Sequence, residues 1–191
     1  MKVTVSKARL GLTSAALAVA LTACVPIPVP QRNYVPNSAD VTVSKGSNVC
    51  SLFGTFARGV VKTGNATIDT YLRTENADSA QAYAVYQVAV MEEVTNGRFS
   101  DVSLVASRIT LTEKNRTLTA RLEDKSVKQD GKFRYTRFRL RFPAPSGLAE
   151  TLTVSSRAGA IRISGQSLPA STVRYDLKET PEVYIFPCIP A

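Results

Sequence analysis

The chain has 191 residues, with 24 lysines and arginines against 15 aspartates and glutamates, no histidine and a formal net charge of +9. Without imidazole it lacks the usual general base near neutral pH, and no Ser-His-Asp or Cys-His nucleophile system can be assembled. Its three cysteines have no C-x-x-C spacing, which argues against a metal site as well.

In chain order, residues 1–23 read as a signal peptide. Lys2, Lys7 and Arg9 give a cationic start, and residues 10–20 form an apolar body broken only by Gly11, Thr13 and Ser14. That body is too short to span roughly 30 Å of hydrocarbon as a helix. A buried core helix is the alternative, but the cationic head and the proline-rich exit favour export. Leu21-Thr22-Ala23-Cys24 resembles the lipobox of bacterial lipoproteins, a resemblance confined to the first 24 or so residues. It implies cleavage before Cys24, a lipid on the Cys24 sulfur, and a membrane-anchored protein of the cell envelope. Val25, where an aspartate commonly signals inner-membrane retention, implies the outer membrane if the organism has two. An ordinary secretory cleavage site is the other option, and bulky Leu21 fits its A-x-A pattern poorly. Two or three acyl chains, at about 0.8 kcal/mol per buried CH₂, hold firmly without a membrane helix.

Residues 24–38, with Pro26, Pro28, Pro30 and Pro36, read as a polyproline-like tether of up to about 40 Å. One domain is expected over residues 39–191. With Cys24 acylated, Cys50 and Cys188 remain, and an exported compartment makes them a disulfide pair worth about 4 to 5 kcal/mol on the chain-entropy model. Two buried thiols are the alternative.

The domain reads as all-β, an antiparallel β-sandwich (or barrel) with a hairpin meander. Candidate strands lie at residues 41–44, 52–62 and 66–73. Residues 80–91 have no clear polar face on either period; their tyrosines and valines favour a central strand, with a helix as the alternative. Asn96-Gly97 predicts a type I′ hairpin, Asp130-Gly131 repeats that device, and residues 113–116 make a turn between the two. The four strands so joined, ending with 118–127 and 133–142, form the expected meander. Leu118, Ala120 and Leu122 would line its buried face. Shorter strands follow at 151–155, 160–164, 172–177 and 183–186.

Candidate chemistry is sparse. Glu92 and Glu93 are the obvious carboxylate pair, but strand neighbours point to opposite faces, so they read as rim charges before a turn. No phosphate loop or dinucleotide fingerprint is present, no cofactor is implied, and the protein is not expected to be an enzyme. Asn65 and Asn115 sit in glycosylation tripeptides that read as turn residues in a bacterium. The seven tyrosines, Tyr34, Tyr71, Tyr83, Tyr86, Tyr135, Tyr175 and Tyr184, are scattered and read as core or interface residues.

Charge is the positive signal. Loss of Lys2, Lys7 and Arg9 with the leader leaves a net +6, and residues 98–141 hold 12 basic against 5 acidic side chains. In residues 132–142, Phe138, Leu140 and Phe142 point one way and Arg137, Arg139 and Arg141 the other. A bulge near Thr136 would be needed to keep Phe133 and Tyr135 inward and Arg134 outward. Arg134, Arg137, Arg139 and Arg141 are thus candidate ligands for anionic lipid headgroups or envelope polysaccharide. The plainer reading is a solvated sheet face, with Glu123 and Asp124 as partial partners. Nucleic acid is not expected, given export and the lack of a recognition motif. The sequence therefore reads as a lipid-anchored binding or scaffolding module. An envelope enzyme using carboxylate or serine chemistry and a carrier for an apolar ligand are the alternatives.

Overall fold

The computed structural model describes residues 25–47, 55–64, 66–75, 83–93, 99–143 and 149–186. Among these there is no α-helix, only a 3-10 turn at Ala106–Arg108 and fourteen strands. In chain order they are β1 (Val25–Pro36), β2 (Thr42–Ser47), β3 (Thr55–Thr63), β4 (Ala66–Glu75), β5 (Tyr83–Glu93), β6 (Val102–Leu104) and β7 (Ile109–Glu113). Then come β8 (Arg116–Thr119), β9 (Arg121–Asp130), β10 (Phe133–Phe142), β11 (Thr151–Ser156), β12 (Ile161–Ile163), β13 (Gln166–Ser167) and β14 (Ser171–Phe186).

Two antiparallel sheets pack face to face as a sandwich. One has six strands in the order β2-β3-β4-β5-β10-β9, the other five in the order β1-β14-β11-β7-β8, and β13-β12-β6 form a small third sheet. Strand periodicity builds the core directly: Ile68 and Leu72 of β4, Ala84, Tyr86, Val88 and Val90 of β5, and Phe138, Leu140 and Phe142 of β10 face inward at alternate positions. Ile109, Leu111, Leu152, Val154, Val173 and Tyr175 meet them from the other sheet.

Residues 83–93 form a central strand, flanked by β4 and β10. A hairpin meander is present, but it is β2-β3-β4-β5 and not the four strands expected between residues 80 and 142. With β4 and β10 on its two sides, β5 has no edge left for the strand that follows it, and β6 pairs with β12 instead. Asn96 and Gly97 themselves lie outside the described residues. The expected strand over 118–127 is two strands: β8 pairs with β7 in one sheet and β9 with β10 in the other. The chain changes sheets at Ala120, a small buried residue whose amide donates to the Ile109 carbonyl at 2.9 Å. Leu122, expected inside, stands opposite buried Leu140 but on the edge strand β9, where it is exposed.

The turns follow residue chemistry with one shift of frame. Asp130 pairs with Phe133, so the two-residue loop is Gly131-Lys132, and Gly131 (φ 57°) takes the first central position as in a type II′ turn. Ser164 (φ 51°) and Gly165 (φ 76°) form the β12–β13 loop with both residues left-handed, a type I′ signature the sequence reading overlooked.

The largest departure concerns residues 25–36. Expected as a tether, they form β1, paired rung for rung with residues 175–186 of β14. The folded body therefore begins before residue 39. Tyr34 is 1% exposed in the core, and its hydroxyl donates to the Ala149 carbonyl at 2.8 Å. Burial, and then the charge of Glu113, push the Tyr34 phenol up to about 12. The prolines fit because Pro30 stands directly opposite Pro181, where neither strand has an N–H to contribute. That rung is a non-hydrogen-bonded pair, and Pro26, Pro28 and Pro36 share its parity, so none removes a donor from the ladder. Beyond Leu177 the described part of β14 has β1 as its sole strand partner, giving a two-stranded ribbon of roughly 30 Å.

A polar clasp closes the other end of β1. Asp176 accepts hydrogen bonds from Asn37 (2.5 Å), Arg174 (2.9 Å) and Thr151 (3.2 Å). Asn37, against a smaller opposing cost of burial and with help from Arg174 and Thr151, holds the Asp176 carboxyl below its ordinary value of 3.8. A depressed native value means that the unfolded chain binds this proton more readily. The contribution is therefore complete above the ordinary aspartate range and is lost as pH falls through the lowered one. Asp176→Asn is expected to be less stable than the parent at neutral pH, with the gap closing in strong acid; urea melts across pH check it, and a gap independent of pH overturns it.

Candidate anion-binding face

The ladders from β3 to β9 determine which side chains stand side by side on the outer face of the six-stranded sheet. One row across the strands reads Lys62, Thr67, Met91, Tyr135, Lys128. The next reads Val60, Asp69, Ala89, Arg137, Ser126. Two more follow: Tyr71, Gln87, Arg139, Asp124, and then Arg73, Val85, Arg141, Arg121. Rows lie about 7 Å apart and neighbouring strands about 4.8 Å apart.

Arg137, Arg139 and Arg141 share this face, as alternation requires. Arg134 does not. The ladder runs without a shift through Thr136 on both sides of β10, so Phe133 and Tyr135 join the arginines outside and Arg134 turns toward the interior. There it pairs with Glu92 at 2.9 Å and stacks over the Phe99 ring at 4.8 Å. Glu92, read from sequence as a rim charge, is 2% exposed, while Glu93 on the opposite face is exposed and bonds Lys132 at 2.5 Å. The ladder shift falls instead between Arg139 and Leu140 against β9, leaving Glu123 as the extra residue of a bulge. The bulge brings Glu123 to the arginines: Arg139 Nε bonds its carboxylate at 2.6 Å and Arg141 lies 3.9 Å from it. Arg141 also lies 3.7 Å from the centre of the Tyr83 ring.

The remaining cations are differently placed. Lys62, Arg121, Lys128 and Arg137 are exposed and have no carboxylate within ion-pair distance among the described residues. Arg121 stands directly opposite Arg141, an arrangement that is unfavourable unless an anion lies between them. Lys128 is opposite Tyr135 and one row from Arg137. Sequence reasoning missed Lys62, Arg73, Arg121 and Lys128, because their membership of the face depends on strand register.

Tyr86 and Tyr175 are buried and meet edge to face across the sandwich, 6.3 Å between centres. Tyr175 also shares a 3.1 Å hydrogen bond with Thr70, and burial pushes both phenols upward. They are structural, as is Tyr34, whereas Tyr135 is exposed on the basic face. A cavity of about 560 Å³ on the other sheet is lined by Thr112, Lys114, Ala149, Glu150, Thr151 and Thr153. Among the described residues no group of three acidic, cysteine or histidine side chains is close enough to hold a metal ion. Cys24, Cys50 and Cys188 lie outside the described residues. Comparison with models of known protein families, with curated proteins and with solved structures finds no match.

Proposed function

We propose that the protein is a lipid-anchored bacterial envelope lipoprotein whose sandwich binds anionic envelope ligands on the outer face of its six-stranded sheet. The observation that carries the binding reading is the set Lys62, Arg121, Lys128 and Arg137, four cations on one open face without carboxylate partners among the described residues. Arginine and lysine at these spacings suit a repeating anion such as a polysaccharide or a headgroup array. The anchor rests on the lipobox ending at Cys24. Since β1 starts at Val25, the spacer between lipid and sandwich is then the β1–β14 ribbon and not a flexible tail.

The test anchors the full chain in zwitterionic vesicles and titrates it with dextran sulfate as a model polyanion. Lys128→Gln/Arg137→Gln is expected to weaken binding roughly tenfold, at up to about 1 kcal/mol for each exposed ionic contact. Arg157→Gln/Arg162→Gln, which removes equal charge elsewhere, leaves binding unchanged. Equal loss in both variants reduces the face to a net-charge effect and overturns the site. Mass spectrometry of the same preparation is expected to find an acylated Cys24 as the first residue; another N-terminus removes the anchor.

A further inference from the structure

The edges of the two sheets are not treated alike. β1 carries four prolines at one parity, β8 has four residues and β2 six, all devices that discourage pairing with another chain. β9 is ten residues long, has no proline, and is exposed along its whole length. Its Gly131-Lys132 loop makes Asp130 and Phe133 the closing pair bonded to each other. Alternation then turns the backbone N–H and C=O of Gln129, Val127 and Lys125 away from β10, toward the open edge. The bulge at Glu123 interrupts the edge just beyond them.

We propose that β9 pairs antiparallel with β9 of a second copy of this chain, about a two-fold axis through Ser126, joining two six-stranded sheets into one. A two-fold perpendicular to the sheet sets edge against edge while keeping each face on its own side, so only residues of like parity oppose. Side-chain charge selects the register. Centred on Ser126, Asp124 opposes Lys128 twice and Lys125 opposes Val127. Centred on Asp124, Lys125 or Lys128, identical charges would meet on the axis; centred on Val127, Asp124 would oppose Asp130; centred on Gln129, the Gly131-Lys132 turn would cut the overlap to residues 128–130. In the Ser126 register Lys125 and Val127 exchange both backbone hydrogen bonds through the groups that face outward, and the Ser126 pair is of the close, non-hydrogen-bonded kind. Val127 is 58% exposed in the single chain and stands at the rung opposite the partner's Lys125, whose own Nζ stays on the Val102 carbonyl at 3.2 Å. The basic faces of the two copies become one continuous surface on which Lys128 faces the partner's Asp124 and Lys62, Arg121 and Arg137 stay without a carboxylate partner among the described residues, and the pairing does not depend on what that face binds.

Oxidation of Ser126→Cys in the full chain is expected to give a disulfide-linked dimer above the wild-type level, since opposed residues at such a pair lie within bridging range. Gln129→Cys, which opposes Glu123 and not its own copy, gives none. In sedimentation, Val127→Pro removes an outward N–H while sparing the β10 ladder, and is expected to be monomeric, with a thermal midpoint that no longer rises with protein concentration as the parent's does. Asp124→Lys raises the dissociation constant roughly tenfold, and Asp124→Lys/Lys128→Asp restores it. Wild-type protein that stays monomeric at every concentration, or Ser126→Cys that links no better than Gln129→Cys, overturns the proposal. So does a dimer that survives both Val127→Pro and Asp124→Lys, which would assign association to another surface.

Discussion

Arg134→Met is expected to destabilise the fold by about 3 to 5 kcal/mol, the cost of leaving a buried carboxylate without its cation. Glu92 sits on the inner side of central strand β5, 2% exposed, opposite Ala66 on β4 and Arg134 on β10. The guanidinium side chain is 19% exposed. Glu92 Oε1 and Arg134 Nε are both buried without a hydrogen-bond partner, so the pair is not fully satisfied even in the parent. Removing the charges together should therefore behave quite differently from removing one. Glu92→Met/Arg134→Leu is expected to recover stability to the parental level or somewhat above it, because well-packed apolar residues replace a buried ion pair at little net cost. Urea melts of the two variants decide the matter. A loss below about 1 kcal/mol for Arg134→Met would mean that Glu92 is hydrated, since exposed pairs contribute that little.

Tyr34→Ala is expected to cost about 3 to 5 kcal/mol, the range seen when a large buried aromatic is truncated in a core. The ring is among the largest fully buried side chains, and its hydroxyl satisfies the Ala149 carbonyl across 115 residues of sequence. This substitution separates two pictures of the N-terminal segment directly. If residues 24–38 were a solvated tether, truncating one of its side chains would leave the melting transition where it was. If β1 is part of the sandwich, the loss is large and Tyr34→Phe recovers most of it, giving up only the hydrogen bond at about 1 kcal/mol.

Much of the fold was legible because strand periodicity is local. Alternation in residues 133–142 placed Phe138, Leu140 and Phe142 inside and Arg137, Arg139 and Arg141 outside, and the β-branched and aromatic content of residues 83–91 identified β5. Pairing was not legible, and the errors share one cause. An Asn-Gly pair or a four-residue turn specifies backbone geometry at one point but does not determine which sheet the next strand joins. Hence one continuous run over 118–127 was expected where the chain turns a corner at Ala120, and β6 left the sheet that β5 occupies. The proline run misled for the same reason. In isolation alternating prolines favour an extended, unpaired chain, and only a partner with Pro181 opposite Pro30 turns them into an edge strand.

The basic face divides in the same way. The sequence by itself determined that the chain is β-rich and basic, that it lacks imidazole chemistry, and that three arginines of β10 share a side, because composition and the two-residue period need no neighbour. Tertiary structure alone decided that Arg134 belongs to the interior with Glu92, and that Glu123 compensates Arg139. It also decided that Lys62, Arg121 and Lys128 join Arg137 on one surface. Those facts depend on strand order, register and a single bulged residue. A shift of one position along any ladder would exchange inside for outside, and nothing local to a strand determines it.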